Sequence, residues 1–135
     1  MKIPKFEAQT EWVKPTEFPD LRQVEEIAID LETKDPDLIK KGSGSVIGNG
    51  EVIGIAVATK HFKGYFPIAH EGGGNMDRTR VLSWLKDILE SPATKVFHNA
   101  IYDVCWLRAM GFKINGDIAC TMIAAALTDE NRFRY

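Results

Sequence analysis

The sequence has little cysteine, little histidine and almost no net charge, and each shortage excludes a class of protein. Two cysteines and three histidines occur in 135 residues, and none of their spacings is typical of a zinc site. We therefore expect Cys105 and Cys120 to be free thiols in a reducing compartment. Seventeen basic residues against 19 acidic ones give a formal net charge of −2. The chain lacks the basic signature of a stand-alone duplex-DNA-binding domain.

Long apolar runs are also missing from the sequence. No stretch approaches the roughly 20 apolar residues that a membrane-spanning helix needs, and the N-terminus lacks the apolar segment of a secretory signal. What the chain has is 44% hydrophobic residues, enough for the core of one domain. Prolines lie among charged residues at the start, so we expect an extended lead-in over residues 1–23 and a folded domain over residues 24–135.

The spacing of the apolar residues predicts an α/β fold with a mixed sheet. The pattern predicts strands over 24–31, 52–58, 65–69 and 95–98, and helices over 77–90, 99–110 and most of 118–127. The glycine-rich segment 41–50 is followed neither by a helix nor by the Gly-Lys-Ser/Thr of a phosphate-binding loop. We interpret this segment as a flexible hairpin connection.

Two acidic side chains occupy the end of the first predicted strand. Side chains alternate along a strand, so Asp30 and Glu32 share the face opposite to Ile27, Ile29 and Leu31. They lie about 7 Å apart along the strand. Two such carboxylates repel each other unless a hard divalent cation binds them. An isolated Asp-x-Glu is more often a solvated pair at a strand exit, so the rest of the chain has to decide.

A second acidic position follows the strand predicted over 95–98. Asn99 is suited to cap the next helix, and Asp103 lies one turn later on the same helical face. Helix capping and the helix dipole explain both residues without any further function. However, parallel neighbouring strands bring their carboxyl ends to one edge of a sheet. There Asp103 would meet Asp30 and Glu32, which predicts a site for two divalent cations about 4 Å apart.

These motifs resemble those of a known family. Asp30-Leu31-Glu32-Thr33 and Asn99-Ala100-Ile101-Tyr102-Asp103 resemble the first two motifs of the DEDD-type 3′–5′ exonucleases. The resemblance is strongest to the proofreading domain of family A, polymerase I-like DNA polymerases, including those of phages. Segments 65–70 and 121–127 also resemble that family, so the similarity covers about residues 24–130.

The resemblance implies a ribonuclease H-like fold and a reaction. The sheet would have three antiparallel strands plus one or more parallel strands, flanked by helices, with the C-terminal helices absent. Asp30, Glu32 and Asp103 would be catalytic and would bind two Mg²⁺ or Mn²⁺ ions. The substrate would be the 3′ end of single-stranded DNA, hydrolysed in the cytoplasm of a bacterium or a phage-infected cell.

Four further residues would bind the substrate according to the resemblance. Asn99 would contact the strand backbone near the 3′ end, and Thr33 would lie beside it. Leu38 would pack against the terminal base, although an ordinary loop anchor is an equally good interpretation. His98 would line the site, although a buried histidine with satisfied hydrogen bonds is the more common case.

The sequence departs from the family pattern in two places. Cys120-Thr121 stands where the family usually has Asp-Thr. The third motif, Tyr-x-x-x-Asp or His-x-x-x-Asp, is missing, because Ala125 and Ala126 lie four residues before the last acids, Asp129 and Glu130. We therefore expect a truncated exonuclease domain that is weak or inactive alone.

Such a domain would have two kinds of protein partner. It would bind the remainder of its parent chain, or form a homodimer through an exposed apolar face. Two other functions remain open: a catalytically inactive nucleic-acid-binding or scaffold domain of the same fold, and an RNA-trimming relative.

Overall fold

The structure of the chain is a computed structural model that describes residues 12–128. Its strands are β1 (Glu26–Lys34), β2 (Glu51–Ala58), β3 (Lys63–Pro67), β4 (Thr94–Phe97) and β5 (Ile118–Cys120). Its helices are α1 (Leu38–Lys41), α2 (Gly44–Ile47), α3 (Arg78–Glu90), α4 (Ala100–Ala109) and α5 (Thr121–Thr128). No helix in this described part is long and apolar enough to cross a membrane.

The five strands form one mixed sheet in the order β3-β2-β1-β4-β5. β1 and β3 both run antiparallel to β2, whereas β4 is parallel to β1 and to β5. The predicted α/β fold, with three antiparallel strands extended by parallel ones, is therefore confirmed. Because β1 and β4 are parallel neighbours, the two acidic motifs lie on or after strands that point to the same edge of the sheet.

One face of the sheet is buried and the other is open. Along β1, Ile27, Ile29 and Leu31 are buried, while Ala28, Asp30 and Glu32 are exposed. The buried side chains join one hydrophobic cluster with residues of the two longest helices, namely Val81, Leu85, Ile88 and Leu89 of α3 and Trp106 and Leu107 of α4. Each fully buried aliphatic side chain stabilises the folded state by roughly 1.5–3 kcal/mol relative to an exposed one. The amphipathic spacing of α3 predicted this packing.

As predicted, the segment over 41–50 belongs to a hairpin connection, because it lies between the antiparallel neighbours β1 and β2, but it is not an irregular loop. Two short helices, α1 and α2, fold this segment back on itself. Both carboxylate oxygens of Asp35 accept the Gly44 N–H at 3.0 Å, and a Cβ on Gly44 would lie 1.7 Å from the Asn49 carbonyl oxygen. The glycine at position 44 therefore allows a close backbone approach, which composition alone does not reveal.

The prediction that residues 118–127 are mostly helical is confirmed from Thr121 onward, but the first three residues form a strand. Residues Ile118–Cys120 form β5, which pairs with β4 in parallel register, and α5 begins only at Thr121. Three residues are too few for the alternating pattern of a strand to appear in the sequence. β1 is also longer than predicted and continues to Lys34, so Asp30 and Glu32 lie within the strand instead of at its exit.

A lysine lies fully buried in β4. The Lys95 ammonium donates hydrogen bonds to the Ser91 carbonyl after α3 and to the Asn115 carbonyl, the latter at 2.7 Å. Burial lowers the pKa of the lysine. Lys95 therefore joins the end of α3 and the segment before β5 to β4. The sequence pattern gave no sign of this role, because Lys95 stands at a position predicted only as the start of a strand.

Candidate active site

Asp30 and Glu32 project from the open face of β1. Both are exposed, and their partners across β2 are Ala56 and Gly54. These partners are small, so the two carboxylates stand beside a shallow surface instead of being buried by neighbours. The register with β2 shifts between Glu32 and Thr33, directly after the second acid.

Asp103 approaches the same region from the other side of β1. It lies in the first turn of α4 and is only 3% exposed. Burial, and next the negative charge of Asp30, raise the pKa of Asp103 to about 7, although a hydrogen bond from the Leu31 backbone N–H opposes this shift. Its Oδ2 atom is buried without a hydrogen-bond partner. A buried carboxylate oxygen without a donor is costly unless a proton or a cation compensates it.

The acids are neighbours but do not form a closed ligand set. Asp103 lies close enough to Asp30 for their charges to interact. Within residues 12–128, however, no three His, Cys, Asp or Glu side chains are grouped tightly enough to hold a metal ion. Because Asp30 and Glu32 are exposed, their side chains have room to turn toward a cation. The unpartnered oxygen of Asp103 and the all-oxygen donor set fit Mg²⁺ or Mn²⁺.

Asn99 occupies the position directly before α4, as predicted. The predicted capping hydrogen bond to its side chain is not formed. The φ of 65° and ψ of 63° of Asn99 place it in the left-handed region. No other non-glycine residue among those described has a positive φ. A left-handed conformation costs an L-residue roughly 1–2 kcal/mol. This strain, next to the acids, is a feature that functional sites often show.

A hydrogen-bond network joins Thr33 to the second motif. The Tyr102 hydroxyl donates to Asp35 Oδ2 at 2.9 Å and shares a 2.8 Å hydrogen bond with Thr33 Oγ1. Asp35 in turn accepts the Gly44 N–H, so the network also fixes the start of α2. Sequence reasoning missed Tyr102 and Asp35, although Tyr102 stands beside Asp103 in the second motif.

Leu38 and His98 are both more exposed than a loop anchor and a buried histidine, their alternative interpretations, would be. Leu38, in α1, is 42% exposed, so it is only partly packed and leaves apolar surface free. His98 is exposed, and its Nδ1 lies 3.0 Å from Thr121 Oγ1. The interpretation of His98 as a buried histidine is therefore wrong. His98 instead lines the open face of the sheet together with Asp30.

The open face of the sheet forms a wide groove of about 890 Å³. Its floor is made of small or aliphatic side chains from β1, β2 and β4, and its rim includes Asp30, Lys63, Tyr65 and His98. Trp12 and Val13, from the segment before β1, also line it. The groove is mainly apolar, and Asp30 is the acidic residue that lines it. It can therefore accept a further layer of polypeptide over the sheet.

Comparison with known families shows which family the chain belongs to. The model of a family described as 3′–5′ exonuclease, from the family A DNA polymerases, matches residues 17–134. The chain belongs to this 3′–5′ exonuclease family. Its Asp30, Glu32 and Asp103 stand on the β1 and α4 elements of that domain, at the shared edge of the sheet.

Sequence relatives of this exonuclease domain are DNA polymerases. The chain is 41% identical over 81 residues to a DNA-directed DNA polymerase of Pseudomonas phage M6, covering 57% of the chain and 12% of the polymerase. It is 29% identical over 112 residues to DNA polymerase I of Borreliella burgdorferi, covering 82% of the chain and 11% of that polymerase. The chain thus spans only about one eighth of the length of these relatives.

Solved structures with the same fold include a nuclease. NrnC of Brucella melitensis, solved with bound Mg²⁺, is similar with a TM-score of 0.56 and 23% identity, over 85% of this chain and 50% of that one. The same protein solved bound to pGG gives the same values. At this identity the likeness establishes the fold of the exonuclease domain, and it agrees with the ribonuclease H-like sheet expected from the sequence.

Proposed function

We propose that this domain removes nucleotides from the 3′ end of single-stranded DNA, as the proofreading part of a polymerase I-like enzyme, with two divalent cations. The observation that carries the proposal is the buried, unpartnered Oδ2 of Asp103 beside the charge of Asp30. Neither a cap nor an ion pair accounts for that arrangement, since Asp103 receives only the Leu31 N–H. A metal-binding role accounts for it.

Asp30, Glu32 and Asp103 would hold the cations. Bound divalent cations supply the Lewis acidity that activates a water and stabilises a leaving oxygen. The residues of the chain prepare that site: burial among the core residues fixes Asp103, while exposure lets Asp30 and Glu32 adjust. The Mg²⁺ in the structure of NrnC supports the choice of ion.

Four other residues would receive the strand. Asn99 would contact the backbone near the 3′ end, because its amide does not cap α4. Leu38 would pack against the terminal base with its exposed apolar surface. Thr33 would sit beside the scissile nucleotide, held by Tyr102, and His98 would line the groove next to Asp30.

Further polypeptide would complete this site. Relatives are polymerases about eight times the length that the match covers, which supports a partner segment within the same parent protein. The open apolar groove and the exposed Ile118, Ile123 and Leu127 give such a segment a surface to cover. We propose that this segment brings the residue that aligns the attacking water. The bacterial and phage relatives support action in the cytoplasm of a bacterium or an infected cell.

RNA trimming is the second candidate function. The fold neighbour NrnC was solved bound to pGG, a short nucleotide ligand, which favours this alternative over an inactive scaffold. RNA carries a 2′-hydroxyl that DNA lacks, and a binding site can use this group to discriminate between them. A test of the function therefore needs both a DNA and an RNA strand.

A 3′-resection assay tests the proposal. Strands labelled at the 5′ end, one DNA and one RNA of the same sequence, are incubated with Mg²⁺ and either the 135-residue chain or a longer chain that includes the following segment of its parent. We expect slow or no cleavage by the short chain, since losing general-base help alone costs about 10²–10⁴-fold. The longer chain should shorten the DNA one nucleotide at a time.

Two variants identify the residues responsible for that activity. Asp30→Asn and Asp103→Asn should abolish cleavage by the longer chain, while Asp87→Asn on the exposed side of α3 should leave it unchanged. Cleavage of RNA alone would favour the trimming function. No Mg²⁺-dependent shortening of either strand by the longer chain would refute the nuclease proposal.

A further inference from the structure

A tyrosine outside both acidic motifs lies near Glu32 and is hydrogen-bonded to a histidine. Tyr65 of β3 pairs with Ala56, which in turn pairs with Asp30, so these residues form one row across three strands. The next residue, Phe66, is fully buried, which places the Tyr65 side chain on the open, acid-bearing face of the sheet. Neither Tyr65 nor His70 has a role in the function proposed above.

The Tyr65 hydroxyl occupies the space of a missing side chain. A Cβ on Gly54 would lie 1.9 Å from this hydroxyl oxygen, so any other residue at position 54 would displace it. Gly54 pairs directly with Glu32. Opposite Cβ positions in a sheet are about 4.5–5.5 Å apart, so the hydroxyl lies within reach of the Glu32 carboxylate. The negative charge of Glu32 contributes to raising the pKa of Tyr65, after burial.

His70 holds this hydroxyl in place. Tyr65 Oη and His70 Nε2 share a hydrogen bond, and the two rings meet edge to face at 5.7 Å. The backbone of His70 is fixed on both sides by one residue: its N–H donates to Asn75 Oδ1 at 2.8 Å, and its carbonyl accepts from Asn75 Nδ2 at 2.9 Å. The histidine therefore stands on a rigid turn.

The direction of the Tyr65–His70 hydrogen bond depends on which ring nitrogen of His70 carries the proton. A phenol has one proton to donate. When the His70 Nε2–H donates to Tyr65, the phenol proton is free to point at a carboxylate. The opposite direction would aim oxygen lone pairs at Glu32, which is unfavourable.

We propose that Tyr65, ordered by His70, is a positioning residue that donates a hydrogen bond to Glu32 and holds this carboxylate oriented for metal binding. The inference rests on the proposed function, because it assumes that Glu32 is a ligand. Groups that orient a metal ligand typically contribute about 10- to 100-fold to metal affinity. Gly54 is part of the same arrangement, since its missing side chain leaves room for the Tyr65 hydroxyl.

Mn²⁺ binding to the 135-residue chain tests this inference without any need for turnover. The free Mn²⁺ concentration is measured by electron paramagnetic resonance during a titration. We expect Tyr65→Phe to weaken binding about tenfold or more, and His70→Gln and Gly54→Ala to weaken it in the same direction. His61→Gln, at an exposed histidine, and Gly72→Ala, where a Cβ meets nothing within 4 Å, are the matched controls and should bind as the wild type does.

A double variant separates positioning from general damage. If Tyr65 acts through Glu32, then Tyr65→Phe combined with Glu32→Gln should bind Mn²⁺ no more weakly than Glu32→Gln alone. Tm in EDTA should be the same for Tyr65→Phe and the wild type. If Tyr65→Phe binds Mn²⁺ with wild-type affinity, or if the losses of Mn²⁺ affinity add up in the double variant, this inference fails while the proposed function stands. If the wild-type protein binds Mn²⁺ no better than Asp103→Asn does, the proposed function fails together with it.

Discussion

Asp103 shows most clearly how one residue links the core to the chemistry. Its backbone belongs to the first turn of α4, and its side chain is buried against β1. The chain therefore places a carboxylate where hydrophobic packing would favour a neutral group. We propose that a bound cation offsets this cost to stability.

The protonation of Asp103 predicts how stability depends on pH. Its pKa rises from 3.8 to about 7 in the folded chain, so between these values the folded state holds a proton that the unfolded state has lost. Stability without metal should therefore be fully present below pH 4 as far as this group is concerned, and should fall as pH rises toward 7. Asp103→Asn should remove this fall and raise Tm in EDTA at pH 7.5 by on the order of 5 °C.

Melting curves in EDTA between pH 5 and 8 check this prediction. Asp87→Asn, at an exposed aspartate, serves as the matched control and should melt as the wild type does at each pH. If Asp103→Asn loses stability at pH 7.5, or if its Tm follows pH in parallel with the wild type, the buried carboxylate does not cause the fall of stability with rising pH.

At the scale of the elements, the sequence predicted the long elements and the short strands β3 and β4, and it missed the other three short elements. The alternation in β1 and the 3-4 spacing in α3 follow from burial of one face, so both were visible in the sequence. α1, α2 and β5 have three or four residues each and depend on distant contacts. The Asp35 carboxylate that fixes α2 and the partner strand of β5 cannot be read from local composition.

The candidate site was predictable to a similar extent. The two motifs located Asp30, Glu32, Asn99 and Asp103, because their spacing follows the strands that carry them. The left-handed backbone of Asn99, the exposure of His98 and the Tyr65–His70 pair were not predictable. These features arise from side chains that meet across strands, and a single sequence does not encode such pairs in its local pattern.

Lys95 carries a prediction about how the elements are held together. Lys95→Met keeps the apolar length of the side chain but leaves the Ser91 and Asn115 carbonyls without this donor. We expect a loss of about 2–4 kcal/mol in the free energy of unfolding, because buried carbonyls lose charge-assisted hydrogen bonds. Urea denaturation measures this loss.

The matched control for Lys95 is an exposed lysine. Lys86→Met on α3 removes only an ion pair with Glu90 at the surface, worth less than about 1 kcal/mol. If Lys95→Met proves as stable as Lys86→Met, Lys95 does not fasten α3 to the sheet as described.

For the whole molecule, the main feature is an apolar surface with no cover in the described part of the chain. α5 has no buried residue, and Leu127 is 83% exposed. We expect the 135-residue chain to self-associate at high concentration, as large exposed apolar patches do. Sedimentation velocity over a concentration series should show a rising mean mass.

A paired substitution on α5 tests whether this surface is responsible. Ile123→Glu with Leu127→Glu should keep the chain monomeric to higher concentration and leave Tm unchanged, since neither residue is buried. Ser83→Glu with Thr79→Glu, on the exposed side of α3, adds the same charge elsewhere and should not prevent association. Association that persists in the α5 variant would point to another surface.

The central claim is that Asp30 and Asp103 share a bound cation, and anomalous scattering from crystals soaked in Mn²⁺ tests it most directly. A shared cation should give an anomalous peak in contact with carboxylate oxygens of both residues, with Asp103 Oδ2 as a ligand. A protein with no peak there after soaking, and with Asp103 Oδ2 still buried without a partner, would contradict it.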